Sequence, residues 1–541
     1  MSSAAWRGSR AKPQFVLGMG ISASTKRNVS RKVLRRASDR TPLGSIIGSI
    51  ERAFDLGDYD LLAELLDRNI LAAWFGLRPE RLGLIIATMT EAGAPVNLVL
   101  RTIATLLASP GSAHAIGEQL SDSAPEAGTL DELAALSQRM FALRLQGRPV
   151  EAMQFSASLD RRSGISYPLF DTQNGWGLFA PVQFGVTAML AGDFSAALAS
   201  FTQARMHVIV PHLAFLTRDA YVKSALIEAL YGDAERASAL LDDASRVLRT
   251  ESWAEGGLDA CAVIAGSLLP SRAPAEALRM LESVPLHEVG EMWPFHAAAV
   301  HRALVAAGYQ EEARRRIEMF EGMPLPHQEG QGYTGSVLLL CRIADSVAHG
   351  DLLDARERIG RADESIAVTR LVAARLELAA GRPRESLRWV EGLHEQTGGL
   401  RSLEVQRLAV IAGCHLALGS ADECREVLEL AARLPGGLSP HEAQYFPADV
   451  HRFAGAGVGA WPFAEQPGSD DYEMFPTGVP LTARELDVLQ QLSGGHSREQ
   501  IAQSQYISLN TLKAHLRSIY RKLGVSSRAG AVIEAERRGI I

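Results

Sequence analysis

The 541-residue sequence is poor in cysteine, with only Cys261, Cys341, Cys414 and Cys424. None sits in a CxxC spacing and four cannot staple a chain this long, so no disulfide framework is implied and a reducing cytoplasm is the expected compartment. No apolar run approaches the roughly 20 residues that a membrane helix needs, so no membrane partner is expected. No GxxxxGK[ST] loop occurs: in GMGISASTKR, Thr25 stands where a glycine would precede Lys26. HExxH and GxSxG are missing as well. No alternation of strand and helix patterns suggests a phosphoacceptor domain. These absences leave no candidate catalytic residue, metal site or cofactor, and the sequence reads as that of a non-enzyme.

What is present is ordinary globular composition, with 47% apolar and 22% charged residues and a mean hydropathy of +0.01. The net charge of −7 is unevenly spread. Residues 1–40 carry +9, residues 477–541 carry +4, and the remainder carries −20. An acidic body repels polyphosphate, so nucleic-acid contact belongs to the basic ends. Residues 1–40 show little periodicity and read as a basic disordered tail. The basic cluster Lys26 to Arg36 follows the short apolar run instead of preceding it, which argues against a signal peptide.

From residue 41 to 434 apolar residues recur at three and four spacing, which predicts helices throughout. A glycine is followed five residues later by a small residue and nine later by an apolar one. Gly192, Ala197, Phe201 set the frame; Gly232, Ala237, Leu241; Gly308, Ala313, Ile317; Gly350, Ala355, Ile359; Gly381, Ser386, Val390; and Gly419, Cys424, Leu428 repeat it. Weaker copies start at Gly57 and Gly147, and SRAPAEALRML is a copy without glycine. Starts about 39 residues apart indicate stacked helical hairpins. The glycine ends helix A in a left-handed conformation, and the small residue lets helix B approach its neighbour. Cys424 fills an alanine slot. These segments resemble tetratricopeptide-like repeats, and the longer period is similar to the repeat domain of MalT-type transcription activators. The predicted fold is an all-α helical-repeat solenoid over 41–434.

Residues 435–478 read as a linker, since seven prolines and seven glycines fall between 435 and 480, with Trp461 and Phe463 as candidates for docking it onto a neighbouring domain. After it, residues 479–541 punctuate into four helices. Thr482 and Glu485 form a capping box, and Gly494 and Gly495 end the first helix. Ser497 and Gln500 cap the second, a tight turn at Tyr506 and Ile507 follows, and Ser508 caps the third, which stops at Gly524. On helix three Leu509, Leu512, Leu516, Ile519 and Leu523 form the expected buried stripe. Asn510, Lys513, Ala514, Arg517 and Arg521 fall on the other side, a face suited to the major groove. The alternative is a solvated charged face on a terminal hairpin.

The wording of this segment resembles the LuxR-type helix-turn-helix domain through Leu481, Thr482, Arg484, Glu485, Val488, Leu489, Ile501, Ala502, Ile507, Ser508, Thr511, Lys513, His515 and the run Lys522 to Arg528. The resemblance implies a four-helix DNA-binding module whose third helix enters the major groove, with promoter DNA and RNA polymerase as partners. It also implies a fourth helix that dimerises. Expected DNA contacts are Ser508, Asn510, Thr511, Lys513, Ala514, Arg517, Arg521 and Lys522. Leu512, Ala514 and Gln503 to Gln505 depart from the usual pattern and bear on base preference. The expected function is a sequence-specific transcriptional regulator, an activator on balance, whose repeats sense a small-molecule or protein effector; the alternative is an interaction scaffold. Trp293, Phe295, His296 and His301 mix aromatic and polar groups and are the expected effector contacts, against the alternative of ordinary hairpin core.

Overall fold

The computed structural model describes residues 43–96, 100, 130–170, 175–348, 350–457, 461, 481, 483–523, 525, 527–537 and 540–541. Every regular element among the described residues is helical. The tail expected at residues 1–40 lies outside them, as does the stretch 462–480.

Four helices come first: α1 (Leu43–Asp55), α2 (Tyr59–Arg68), α3 (Ile70–Gly76) and α4 (Pro79–Glu91). They enclose their own core, with Ile50, Leu62, Leu82, Ile85 and Met89 fully buried. Hairpins of an A and a B helix follow. They are α5 (Leu130–Leu145) with α6 (Pro149–Phe170), α7 (Trp176–Ala191) with α8 (Phe194–Met206), and α9 (Ala214–Tyr231) with α10 (Ala234–Arg246). Next come α11 (Glu255–Ser267) with α12 (Pro274–Glu282), α13 (Trp293–Ala306) with α14 (Gln310–Glu321), and α15 (Gly332–Ala348) with α16 (Leu352–Ile359). Last are α17 (Ala367–Ala379) with α18 (Pro383–Val390), and α19 (Arg401–Leu418) with α20 (Ala421–Ala432).

The repeating sequence frame explains these hairpins. Gly147, Gly192, Gly308, Gly350, Gly381 and Gly419 all have positive φ, between 73° and 90°, and end their A helices. The residues in the small slot, Ala152, Ala197, Ala237, Ala313, Ala355, Ser386 and Cys424, are completely buried. Burial pushes the Cys424 thiol up to about 11, so it stays protonated and packs as a small apolar group. One signal lies beside the glycine: Asp58, Asp193, Asp233 and Asp351 directly follow a frame glycine, and each accepts a backbone N–H of the next helix as its N-cap.

Gly232 departs from the expectation, with φ −109°. Its reason is space. A Cβ there would collide with the carboxylate of Glu228, which is buried and accepts the Asp233 N–H at 2.9 Å.

From α7 onward each A helix touches the A helix of the next hairpin. The stack also closes on itself, because α15 meets α7 and α19 meets α9. Fourteen of the 16 residues of α7 and fifteen of the 18 of α9 are buried, so these helices have no solvent face. By contrast only Ala237 and Ala244 are buried on α10. A helix apolar all round, as α7 nearly is, belongs in an interior, whereas α9 also buries Arg218, Asp219, Lys223 and Glu228, with Arg218 paired to Glu255 and Lys223 to Asp219.

Residues 438–457, expected within a linker, pack instead. Ser439 and Glu442 form a capping box on the one-turn helix Pro440–Ala443, and α21 (Ala448–Gly457) follows. Phe446, Val450 and Ala454, spaced four apart, seat with Trp461 on Val405, Leu408 and Leu428. Trp461 docks as its aromatic character suggests, while the proline and glycine content concealed the apolar stripe before it.

Candidate nucleic-acid interface

The C-terminal helices are α22 (Ala483–Ser493), α23 (Arg498–Ser504), α24 (Leu509–Leu523) and α25 (Arg528–Arg537). All of them contribute to one core of Val488, Leu489, Leu492, Ile501, Ala502, Leu512, Leu516, Ile519, Leu523, Ala531 and Ala535. Three polar ties fix their relative positions. The Arg484 guanidinium donates to the Gln505 carbonyl at 3.1 Å, Ser504 Oγ to Gln491 Oε1 at 2.5 Å, and Arg528 to the Leu492 carbonyl at 2.9 Å.

The turn between α23 and α24 is tight. Ser497 and Gln500 form both halves of a capping box on α23. At its far end the Ile507 N–H reaches back to the Ala502 carbonyl, and Tyr506 takes φ 54°. This is a left-handed helix stop made by tyrosine where glycine is the usual choice. The Tyr506 ring is 96% exposed. In the sequence Tyr506 marks a turn, and a large aromatic at a position that favours glycine or asparagine is the signal that it does more.

Ser508 then caps α24, its hydroxyl accepting the Thr511 N–H at 3.1 Å and meeting Thr511 Oγ1 at 2.8 Å. Leu512, Leu516, Ile519 and Leu523 are buried, whereas Leu509 is 44% exposed and is removed from the buried stripe. It is the first residue of the helix. Ser508, Asn510, Thr511, Lys513, Ala514 and Arg517 are all exposed, on one basic, hydrogen-bonding face. Arg521 and Lys522 lie on the same helix, but their side chains lie outside the described residues, as does Thr482. On α25 Ala529 and Ile533 are exposed, Ile533 by 64%, while Ala531 and Ala535 face the core.

The expected effector contacts divide. Trp293, Phe295 and His296 are core residues, buried to 2%, 0% and 7%. Phe295 stacks on Tyr333 at 4.8 Å, and His296 meets Phe320 edge-on. His301 is different, because it lines a recess and faces Asp345 with Nε2 2.9 Å from the carboxylate. Burial opposes charge on His301, but Cys341 and the Asp345 carboxylate outweigh it and push the imidazole up to about 10. A folded value above the ordinary 6.5 means that this pair stabilises fully below pH 6.5 and loses its contribution as pH rises toward 10. The His301→Gln variant should therefore be less stable than the parent by on the order of a few kcal/mol at pH 6, with the gap closing by pH 10. Urea denaturation at a series of pH values measures it, and a gap independent of pH would refute the charged pair.

No group of three or more His, Cys, Asp or Glu among the described residues could hold a metal ion. No described helix is long and apolar enough to cross a membrane.

A sequence model of the luxR family of bacterial regulatory proteins matches residues 479–535. This chain is 42% identical over 66 residues to the transcriptional regulatory protein NarL of Mycobacterium tuberculosis, 12% of this chain and 31% of that protein. It is 43% identical over 61 residues to the HTH-type transcriptional regulator AlkS of Pseudomonas putida, 11% of this chain and 7% of AlkS. It is 45% identical over 58 residues to the HTH-type transcriptional regulator MalT of Yersinia pestis, 11% and 6% respectively. This chain thus spans about a third or less of the length of these relatives. With the helical geometry around α24, the match identifies the C-terminal segment as a helix-turn-helix domain of the luxR family of bacterial regulatory proteins.

Proposed function

We propose that this chain is a sequence-specific transcriptional regulator, not an enzyme, in which helical repeats control the C-terminal DNA module. The division is into a tail (1–40), repeats (41–434), a connecting segment (435–478) and the module (479–541). Its setting is cytoplasmic, its partners are promoter DNA and RNA polymerase, and its action is activation. The observation that carries the reading is the exposed face of α24, polar and basic beside a fully packed opposite stripe.

On that face Lys513 and Arg517, one turn apart, reach base edges, with Asn510 and Ala514 shaping the contact. Ser508, Thr511, Arg521 and Lys522 hold phosphates, as suits a helix start and flanking cations. Ile533 and Ala529 supply an apolar face for a second copy of α25, and two-fold pairing sets half-sites about one helical turn apart.

Lys513→Ala and Arg517→Ala should each cost about 1–3 kcal/mol on the specific site and relax preference at one base pair. Lys522→Ala should weaken all sequences alike and lower the salt slope by about one unit. Titrations on specific and scrambled duplexes at several salt concentrations separate the two classes. Equal losses on both duplexes for Lys513→Ala and Arg517→Ala would overturn the base-reading roles.

A further inference from the structure

Where α9, α13, α15, α17 and α19 converge, the closed stack leaves a recess of about 150 Å³. Its walls are mostly apolar, with Val305, Val337, Leu340, Leu371 and Leu403 among them. A cavity of roughly that size accepts a benzene-sized ring. Its charged lining residues are His301, Asp345, Arg302 and Arg375. His301 and Asp345 face each other, and the other two charged lining residues are both guanidinium groups. Apolar walls with two guanidinium groups fit an anion that has an apolar body.

Arg302 donates to the Leu230 carbonyl at 3.1 Å and to the Tyr445 hydroxyl at 3.2 Å. Arg375 lies over the Tyr445 ring, 5.7 Å from its centre. Tyr445, also bonded to Ser402 Oγ at 3.1 Å, belongs to the segment that runs on through α21 toward the DNA module. Both arginines therefore touch the recess and the chain leading out of the repeats.

We propose that this recess binds a small carboxylate with an aromatic or branched apolar body, held by Arg302 and Arg375. The proposal rests on the reading that the repeats control the DNA module. A carboxylate at the two guanidinium groups competes with Tyr445 for them, and so alters how Phe446, Val450, Ala454 and Trp461 seat on α19 and α20. The free and the bound state differ in contacts at Tyr445, which a ligand needs if it is to shift a population.

The test is calorimetry on the full chain with phenylacetate, its neutral isostere phenylacetamide and the cation phenethylamine. A probe of about ten non-hydrogen atoms should bind with a dissociation constant of about 0.1–1 mM. Phenylacetate should bind at least about tenfold tighter than the amide, and the amine not measurably. Arg375→Met removes charge and Ala298→Phe fills the recess; each should lower phenylacetate affinity at least about tenfold. Equal binding of the three probes overturns the proposal. So does failure of both phenylacetate and 4-methylpentanoate to bind, or indifference to Ala298→Phe. Duplex affinity is then measured with and without saturating phenylacetate. Binding that leaves duplex affinity unchanged upholds the carboxylate site and overturns the control reading. Failure of the duplex titrations alone overturns the DNA reading and leaves the recess intact.

Discussion

Gly332→Ala should destabilise the repeat region by about 2–5 kcal/mol, while Gly330→Ala, two residues away, costs only about 1–2 kcal/mol. Both glycines have positive φ, 62° and 72°, so the backbone penalty of roughly 1–2 kcal/mol is common to them. Their surroundings differ. A Cβ at Gly330 meets nothing within 4 Å, whereas one at Gly332 would lie 2.5 Å from the Ala191 carbonyl oxygen and 2.6 Å from its Cα. No rotamer relieves a clash with backbone, so α15 would have to move off α7, adding about 1–3 kcal/mol of overpacking. Neighbouring bonds would move with it, including Thr334 Oγ1 to the Leu190 carbonyl at 3.2 Å. Urea unfolding followed by tryptophan fluorescence reads the repeats selectively, because the last tryptophan is Trp461 and none lies in the DNA module. Equal effects of the two substitutions would mean that α15 and α7 do not close on each other as described.

That closure was not legible in the sequence, and the reason is physical. The glycine frame is local: Gly192 predicts where α7 ends, and Ala197 and Phe201 predict which side of α8 packs, because each acts within one hairpin. Likewise Ser497 and Gln500 cap a helix through bonds three residues apart, and the stripe Leu512, Leu516, Ile519 follows helical geometry alone. Contacts of α15 with α7 join residues some 140 apart, and nothing in GQGYTG marks Gly332 as different from the glycines that merely turn the chain. Of the recess only His301 was legible, for the same reason. Its polar groups, Tyr231, His301, Arg302, Asp345 and Arg375, come from α9, α13, α15 and α17 and meet only in the folded stack. The contiguous WPFH segment drew attention instead, yet closeness in sequence along a helix spreads side chains over all its faces, and in an interior helix all of them are core. Leu509 shows the limit of periodicity from the other side, since a stripe extended to the first helical residue runs past the neighbours that bury it.

Arg144→Met should destabilise the repeats by about 2–4 kcal/mol, and the double variant Arg144→Met, Glu291→Met should recover part of that loss. The Arg144 side chain, on α5, is 4% exposed. It grips Glu291 bidentately, Nε to Oε2 at 2.7 Å and Nη2 to Oε1 at 2.8 Å, and its Nη1 donates to Gln183 Oε1 on α7 at 3.1 Å. One guanidinium thus ties the first hairpin to the second and to the turn before α13. Burial works against charge on Glu291, but the Arg144 guanidinium outweighs it and holds the carboxyl below the usual range. Removing the arginine alone leaves the Glu291 carboxylate, whose side chain is 30% exposed, half-buried without its counter-charge and the Gln183 Oε1 without its donor. Removing both leaves apolar side chains of similar length, so the penalty falls. The sign with pH follows: a depressed carboxyl stabilises above its unfolded value near 4.3 and loses that contribution as pH falls through the folded value. The parent should therefore lose its advantage over the double variant on acidification below about pH 4. Urea midpoints of parent, single and double variants at neutral and acid pH measure the coupling. A double variant no more stable than Arg144→Met would show that the pair does not hold these hairpins together.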